Sequence, residues 1–157
     1  MRRKITNPYN PQINKCFGCS TSNPIGLKLK FEEIDEHVVA EWEPEEYYQG
    51  YINVLHGGII ATMLDEVAAW CVTVKTGTAG VTTELKVKYL KPVFMNKGKI
   101  RLRARVVKTE GRYVNLKCEL MDSSDKICAE SETLFFTYPE DVAKRKFGYP
   151  GQEKFFG

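Results

Sequence analysis

Residues 57–75 form an apolar run with no polar side, broken only in its middle by Asp65 and Glu66. The run exceeds the usual length of a strand, and its apolar residues wrap nearly the whole circumference of a helix. The spacing therefore predicts a helix that must be buried almost all round. Its continuous part, residues 59–74, is shorter than the ~20 residues a bilayer crossing takes and carries two acids, so a membrane span is not expected. Gly77, in Thr76-Gly77-Thr78-Ala79-Gly80, suits the left-handed cap that closes such a helix.

Strands must cover this helix, and the chain supplies them. Leu27, Leu29 and Phe31 alternate with Lys28, Lys30 and Glu32, and Val38 to Trp42 follows after an acidic turn, which reads as a hairpin. Beyond the helix, the segments 81–90, 100–106, 114–120 and 126–138 repeat the period of two, with Val81, Thr83, Leu85, Val87 and Tyr89 assigned to one face. Four successive strands predict an antiparallel meander. The expected layout is α+β, one long central helix wrapped by a curved antiparallel sheet of about six strands. Such a sheet cannot enclose the helix alone, so a second copy is expected to complete the burial as a homodimer, or as a dimer of dimers.

At 157 residues the chain fits one domain. Residues 1–26, rich in Asn, Pro, Gly, Ser and Cys, read as an irregular leader, 27–138 as the folded domain, and 139–157 as a tail that docks or frays. Lys and Arg number 23 against 20 Asp and Glu, a net charge of +3 that gives no reason to expect nucleic acid. The basic start is not followed by the apolar core of a signal peptide, so the cytoplasm is the expected location. Five cysteines are an odd number and no disulfide framework is expected there. Cys16 and Cys19 form one CxxC without a second pair or paired histidines, so no metal is expected, and no βαβ setting supports a redox role.

Two features can carry chemistry. His56-Gly57-Gly58 stands where the first amides of the helix lack partners and the macrodipole gathers positive charge, and glycines let a substrate oxygen approach. A carbonyl oxygen turning negative would be stabilised there. Asp65 and Glu66 are the only acids of the helix, and desolvation makes a carboxylate a better base. Neighbouring positions diverge by ~100° around the axis, so only one of the two can serve a given site. Gly58 and Asp65 share a face but stand ~10 Å apart along the axis, whereas a nucleophile must come within ~3.5 Å of the carbon it attacks. A composite site is therefore expected, with the amide from one chain and the carboxylate from its partner.

The string His56-Gly57-Gly58-Ile59-Ile60-Ala61-Thr62-Met63-Leu64-Asp65-Glu66, followed by Thr82-Thr83-Glu84-Leu85-Lys86-Val87-Lys88-Tyr89-Leu90-Lys91-Pro92, resembles hotdog-fold acyl-CoA thioesterases of the PaaI-like group, in the 4-hydroxybenzoyl-CoA thioesterase superfamily. Cys16-Phe17-Gly18-Cys19 and Asn23-Pro24-Ile25-Gly26-Leu27 match a leader seen in one branch of that group, and the likeness covers about residues 16–138. The resemblance implies a thioester hydrolase in which the Gly58 N–H polarises the acyl carbonyl, while Asp65 of the partner subunit activates water or attacks directly. It also implies His56 near the thioester, and Thr82 or Thr83 supporting the water or carboxylate. Some relatives carry an Asn shortly before the HGG that positions water; here Gln49 and Asn53 bracket that place, with Gly50 between them.

Coenzyme A enters only as part of the substrate, and no separate cofactor is expected. Lys91 and Arg112 are the candidate phosphate cations, with Glu66, Gln49 and Asn53 the remaining substrate-binding candidates. Arg101, Arg103 and Arg105 share the polar face of one strand and read as solvated. Tyr47, Tyr48, Tyr51 and Met63 are assigned to the acyl pocket. An acyl-CoA-binding module without turnover is the alternative. A hotdog dehydratase is a weaker third, since the histidine-and-proline signature of those enzymes is absent.

Overall fold

The computed structural model describes residues 1–157. Its strands and helices are β1 (Arg2–Lys4), β2 (Lys30–Ile34), β3 (His37–Trp42), α1 (Gly57–Thr76), β4 (Gly80–Tyr89), β5 (Ile100–Glu110), β6 (Tyr113–Met121), β7 (Ile127–Thr137) and α2 (Glu140–Phe147). The predicted helix is α1, closed by Gly77 at φ 70° with its N–H on the Thr73 carbonyl. By length and composition α1 would also pass for a membrane span. Here it lies against a sheet: Met63, Leu64, Val67, Ala68 and Cys71 show no exposed surface. Each larger apolar side chain so buried contributes roughly 1.5–3 kcal/mol.

The sheet has seven strands in the order β1-β2-β3-β5-β6-β7-β4, all neighbours antiparallel, and it is open. This is the expected α+β layout, with two differences. Residues 2–4, in the stretch read as irregular, add the edge strand β1, because Arg2 and Arg3 pair with Glu32 and Glu33 across the ladder. The four strands after α1 do not form one meander. Only β5, β6 and β7 do, while β4 pairs with β7 at the far edge. The connection 90–99 crosses the sheet and lets β5 join β3 instead. The tail docks: α2 seats Ala143, and Tyr149 and Phe155 enter the core, with the Phe155 ring edge-on to Trp70.

Two surfaces stay open. Gly58, Thr62, Asp65, Ala69 and Thr73 form a small, polar, incompletely covered stripe along α1. Beside it, β4 is an edge of 10 residues with an unpaired outer side that exposes Val81 and Tyr89. An edge of that length is a template for another strand.

Candidate functional site

The chain enters α1 through a loop held at several points. The His56 N–H donates to the Tyr48 carbonyl, and the Tyr48 hydroxyl donates to the Ile25 carbonyl at 2.6 Å, so the leader props the loop. His56 is the N-cap residue, and its Nδ1 accepts from the Gly58 N–H at 2.9 Å. An imidazole that accepts at Nδ1 is neutral with its proton on Nε2. The amide expected to be free at Gly58 is therefore already satisfied by the cap. The Gly57 N–H has no acceptor within the chain. Tyr89 of β4 donates its hydroxyl to the Gly57 carbonyl at 2.7 Å, tying the edge strand to the first turn.

Two depressions flank this turn. One, of about 360 Å³, is lined by Tyr47, Gln49, His56, Gly58, Ile59 and Thr62. The other, of about 310 Å³, lies between Gly57, Ile60, Tyr89, Lys91 and Val93. Gln49 and Lys91 thus stand beside the two glycines. The Gln49 side-chain oxygen is taken up by the Asn53 N–H at 3.0 Å, and Asn53 closes the loop at φ 62° without lining either depression.

Further along α1, Asp65 is half-exposed and its Oδ1 accepts from the Thr82 hydroxyl at 2.7 Å. A β-bulge makes this contact possible. The β4–β7 register shifts between Thr82 and Glu84, so Thr82 faces the helix together with Leu85 although they are three positions apart. The bulged Thr83 instead donates to the Leu134 carbonyl at 2.9 Å. The strict alternation that put Thr83 on the Leu85 face is thereby corrected. Bulges often re-aim a side chain in this way beside an active site.

Other candidates lie away from this turn. Arg112 sits in the turn before β6, where its carbonyl accepts from Thr137, which pairs with Gly80; this is the end of the sheet opposite Lys91. Arg101 pairs with Glu41 and Asp125, and Arg103 with Glu119, on the face of β5 turned away from α1. Met63 is wholly buried in the core, and Tyr51 is exposed away from both depressions.

Glu66 does not join Asp65. One step around the helix, it points into the leader, where its Oε1 accepts from the Cys16 thiol at 3.4 Å and from the Trp70 indole N–H at 3.1 Å. Burial first, and then the neighbouring Cys16 sulfur, push the Glu66 carboxyl up to about 7. Chiefly the hydrogen bond from Cys19, joined by the Cys19 and Gly18 backbone N–H groups, draws Cys16 down to about 5 against the effect of burial. The bond to Cys16 and burial push Cys19 upward. Sequence reading assigned Glu66 to the substrate and left the CxxC without further ligands. The available signal was an acid inside an apolar helix with no cation at helical spacing.

A family model described as the thioesterase superfamily matches residues 52–129. The chain is similar to acyl-coenzyme A thioesterase THEM4 of Bos taurus, 30% identical over 107 residues that cover 68% of this chain and 43% of that one. It is similar to an uncharacterized protein of Schizosaccharomyces pombe, 30% identical over 137 residues, 82% of this chain and 78% of that one. Among solved structures, smu.793 from Streptococcus mutans UA159, bound to acetyl CoA, superposes at a TM-score of 0.61, with 22% identity, over 67% of this chain and 83% of that one. The chain spans under half the length of the bovine relative.

Proposed function

The chain belongs to the thioesterase superfamily, and from that premise we propose that it hydrolyses acyl-CoA thioesters to a free acid and coenzyme A. The coarse reading, thioester hydrolysis, rests on the family and on the acyl-CoA thioesterase among its relatives. The finer reading rests on one geometric observation: a single edge strand carries both halves of a site. At one end Tyr89 holds Gly57, and at the other Thr82 holds Asp65.

Antiparallel strands reverse direction about their centre. Two copies of β4 paired along their free edges would therefore set the Thr82 end of one opposite the Tyr89 end of the other. That arrangement brings Asp65 of the partner subunit toward the helix entrance, and it covers the open stripe of α1. It also carries the partner's Arg112 from the far end of the sheet toward Lys91, which suits a ligand with phosphates. In this site the thioester oxygen replaces His56 Nδ1 as acceptor for the Gly58 N–H, with the Gly57 N–H next to it. Asp65, oriented by Thr82, activates water or attacks the carbonyl, and His56 steadies the first turn.

A binding module without turnover is the second reading. The observation that favours it is the Gly58 amide already capped by His56. Thiol release from a panel of aliphatic and aromatic acyl-CoAs decides between the two, hydrolysis giving free thiol and a module giving saturable binding without it. The composite site has its own test. Gly58→Val and Asp65→Ala are each expected to be inactive alone. Mixed and allowed to exchange subunits they are expected to regain activity, because a heterodimer holds one intact site. A mixture that stays inactive while it forms heterodimers, or an active monomer, overturns the shared site.

A further inference from the structure

Cys16 and Cys19 sit on a tight turn of the leader, and Glu66 reaches them from the middle of α1, fifty positions along the chain from Cys16. The two sulfurs and a carboxylate oxygen lie within 4.8 Å of one another. We propose that Cys16, Cys19 and Glu66 form a binding site for a thiophilic divalent cation, zinc by preference, with water in the fourth position, and that this cation clamps the leader to the central helix.

The first argument is distance. With Zn–S near 2.3 Å and Zn–O near 2.1 Å, a tetrahedral site sets a sulfur and an oxygen ligand about 3.6 Å apart. Cys16 Sγ and Glu66 Oε1 are 3.4 Å apart, so a cation needs little rearrangement to enter.

The second argument is what surrounds the donors. Glu66 is half-buried with no Lys, Arg or His within salt-bridge reach, and a carboxylate withdrawn from water is stabilised by a cation or a metal. The Trp70 indole N–H holds the carboxylate in place, the support that metal-ligating groups ordinarily receive.

The third is steric. A Cβ on Gly18 would run into the end of the Glu66 side chain, so any larger residue there has to push the carboxylate aside. The turn is fixed from outside as well. The Asn14 side chain accepts from the Cys16 N–H at 2.9 Å, and Asn7 donates to the Cys19 carbonyl at 3.2 Å. Leu27 and Leu29 donate to the Phe17 and Gly18 carbonyls. The donor set is therefore held in place from three directions. Zinc entry would expel the thiol protons, so its binding is expected to tighten as pH rises.

The experiment uses the whole chain, reduced with a phosphine, stripped by chelator and titrated with Co²⁺. A one-to-one thiolate-to-Co²⁺ charge-transfer band with tetrahedral d–d intensity is expected, displaced stoichiometrically by Zn²⁺. Cys16→Ser and Cys19→Ser are expected to weaken Zn²⁺ binding by more than the ~10–100-fold lost with a group that merely orients a ligand. Glu66→Gln is expected to keep the charge-transfer band with weaker affinity. Wild-type protein needs no variant to fold for the decisive reading. A fully reduced chain that gives no thiolate band and retains no zinc overturns the proposal, as does binding unchanged in Cys16→Ser. An intact mass short of two hydrogens after phosphine removal, with no zinc uptake on renewed reduction, assigns the pair to a disulfide and also overturns it. None of these readings involves thioester cleavage, so failure here leaves the proposed hydrolysis standing.

Discussion

Asp65 and Glu66 are neighbours in the chain, yet they face different sides of α1, ~100° apart around its axis. The Asp65 side is open: a half-exposed carboxylate, one hydroxyl partner, and an edge strand with an unpaired flank. The Glu66 side is closed by the leader, with an indole, two thiols and a glycine packed against the acid. A third acid completes the comparison. Glu33 of β2 is also largely buried, but Lys75 and Arg3 pair with it, the latter through Nε at 2.8 Å. Burial without a cation pushes Glu66 up, while for Glu33 the hydrogen bonds from Lys75 and Arg3 outweigh burial and hold the carboxyl below its usual range. What a buried acid does is thus set by its partners. The open side leaves its acid free to meet a reactant, and the closed side is occupied by the leader.

The largest effect that can break this division is on the open side. Asp65→Asn keeps the shape and removes the base or nucleophile, so kcat with the best acyl-CoA is expected to fall ~10²–10⁴-fold with the melting temperature nearly unchanged. Glu66→Gln should do the reverse, leaving kcat within a few-fold while lowering zinc affinity and stability. Equal losses of kcat in the two variants would mean that both acids serve one site, and the division would fail.

Next in size is Gly18→Ala on the closed side. Overpacking against Glu66 is expected to cost about 1–3 kcal/mol, read as a lower urea midpoint at constant slope. Wild-type stability in this variant would show that the leader is loosely applied, and the clamp would lose its steric support.

A smaller effect is expected from Thr82→Val, which keeps the branched shape on β4 and removes one hydroxyl. If Thr82 only orients Asp65, kcat should drop by roughly ten-fold, about 1.4 kcal/mol, with KM little changed. The serine variant should restore it. A rise in KM alone would instead place Thr82 against the substrate.

The sequence made the open side legible in part and the closed side hardly at all. A period of two marks each strand from local residues, and an apolar run without a polar side marks α1. Both signals are local. The position of β4 depends on where the segment 90–99 crosses the sheet, and the register slip between Thr82 and Glu84 depends on pairing with β7; neither leaves a pattern within β4 itself. The HGG turn and Asp65 stand out in the sequence because an amide end and an acid inside an apolar run have obvious chemistry. That His56 would cap Gly58 was hidden, since a His before two glycines reads equally well as a group facing the substrate. Glu66 was misassigned because its partners lie in a leader without periodicity, fifty residues upstream. Long-range contacts of irregular segments are what periodicity cannot report.

Glu33 gives the smallest and sharpest check of the rule that partners decide. Its folded carboxyl lies below its ordinary value of 4.5, so its ion pairs stabilise the chain above that value and the contribution is lost as pH falls through the folded one. The unfolded chain takes up the proton first on acidification, and this draws the equilibrium toward unfolding. Glu33→Gln is therefore expected to lower stability at pH 7 by under ~1 kcal/mol, since its Arg3 partner is well exposed to solvent screening. Below the folded value the wild type and the variant should converge. Denaturant midpoints for the two proteins across pH 3–7 make the measurement. Parallel curves with no convergence would mean that Lys75 and Arg3 do not hold the charge, and that burial alone governs the acids packed against this helix.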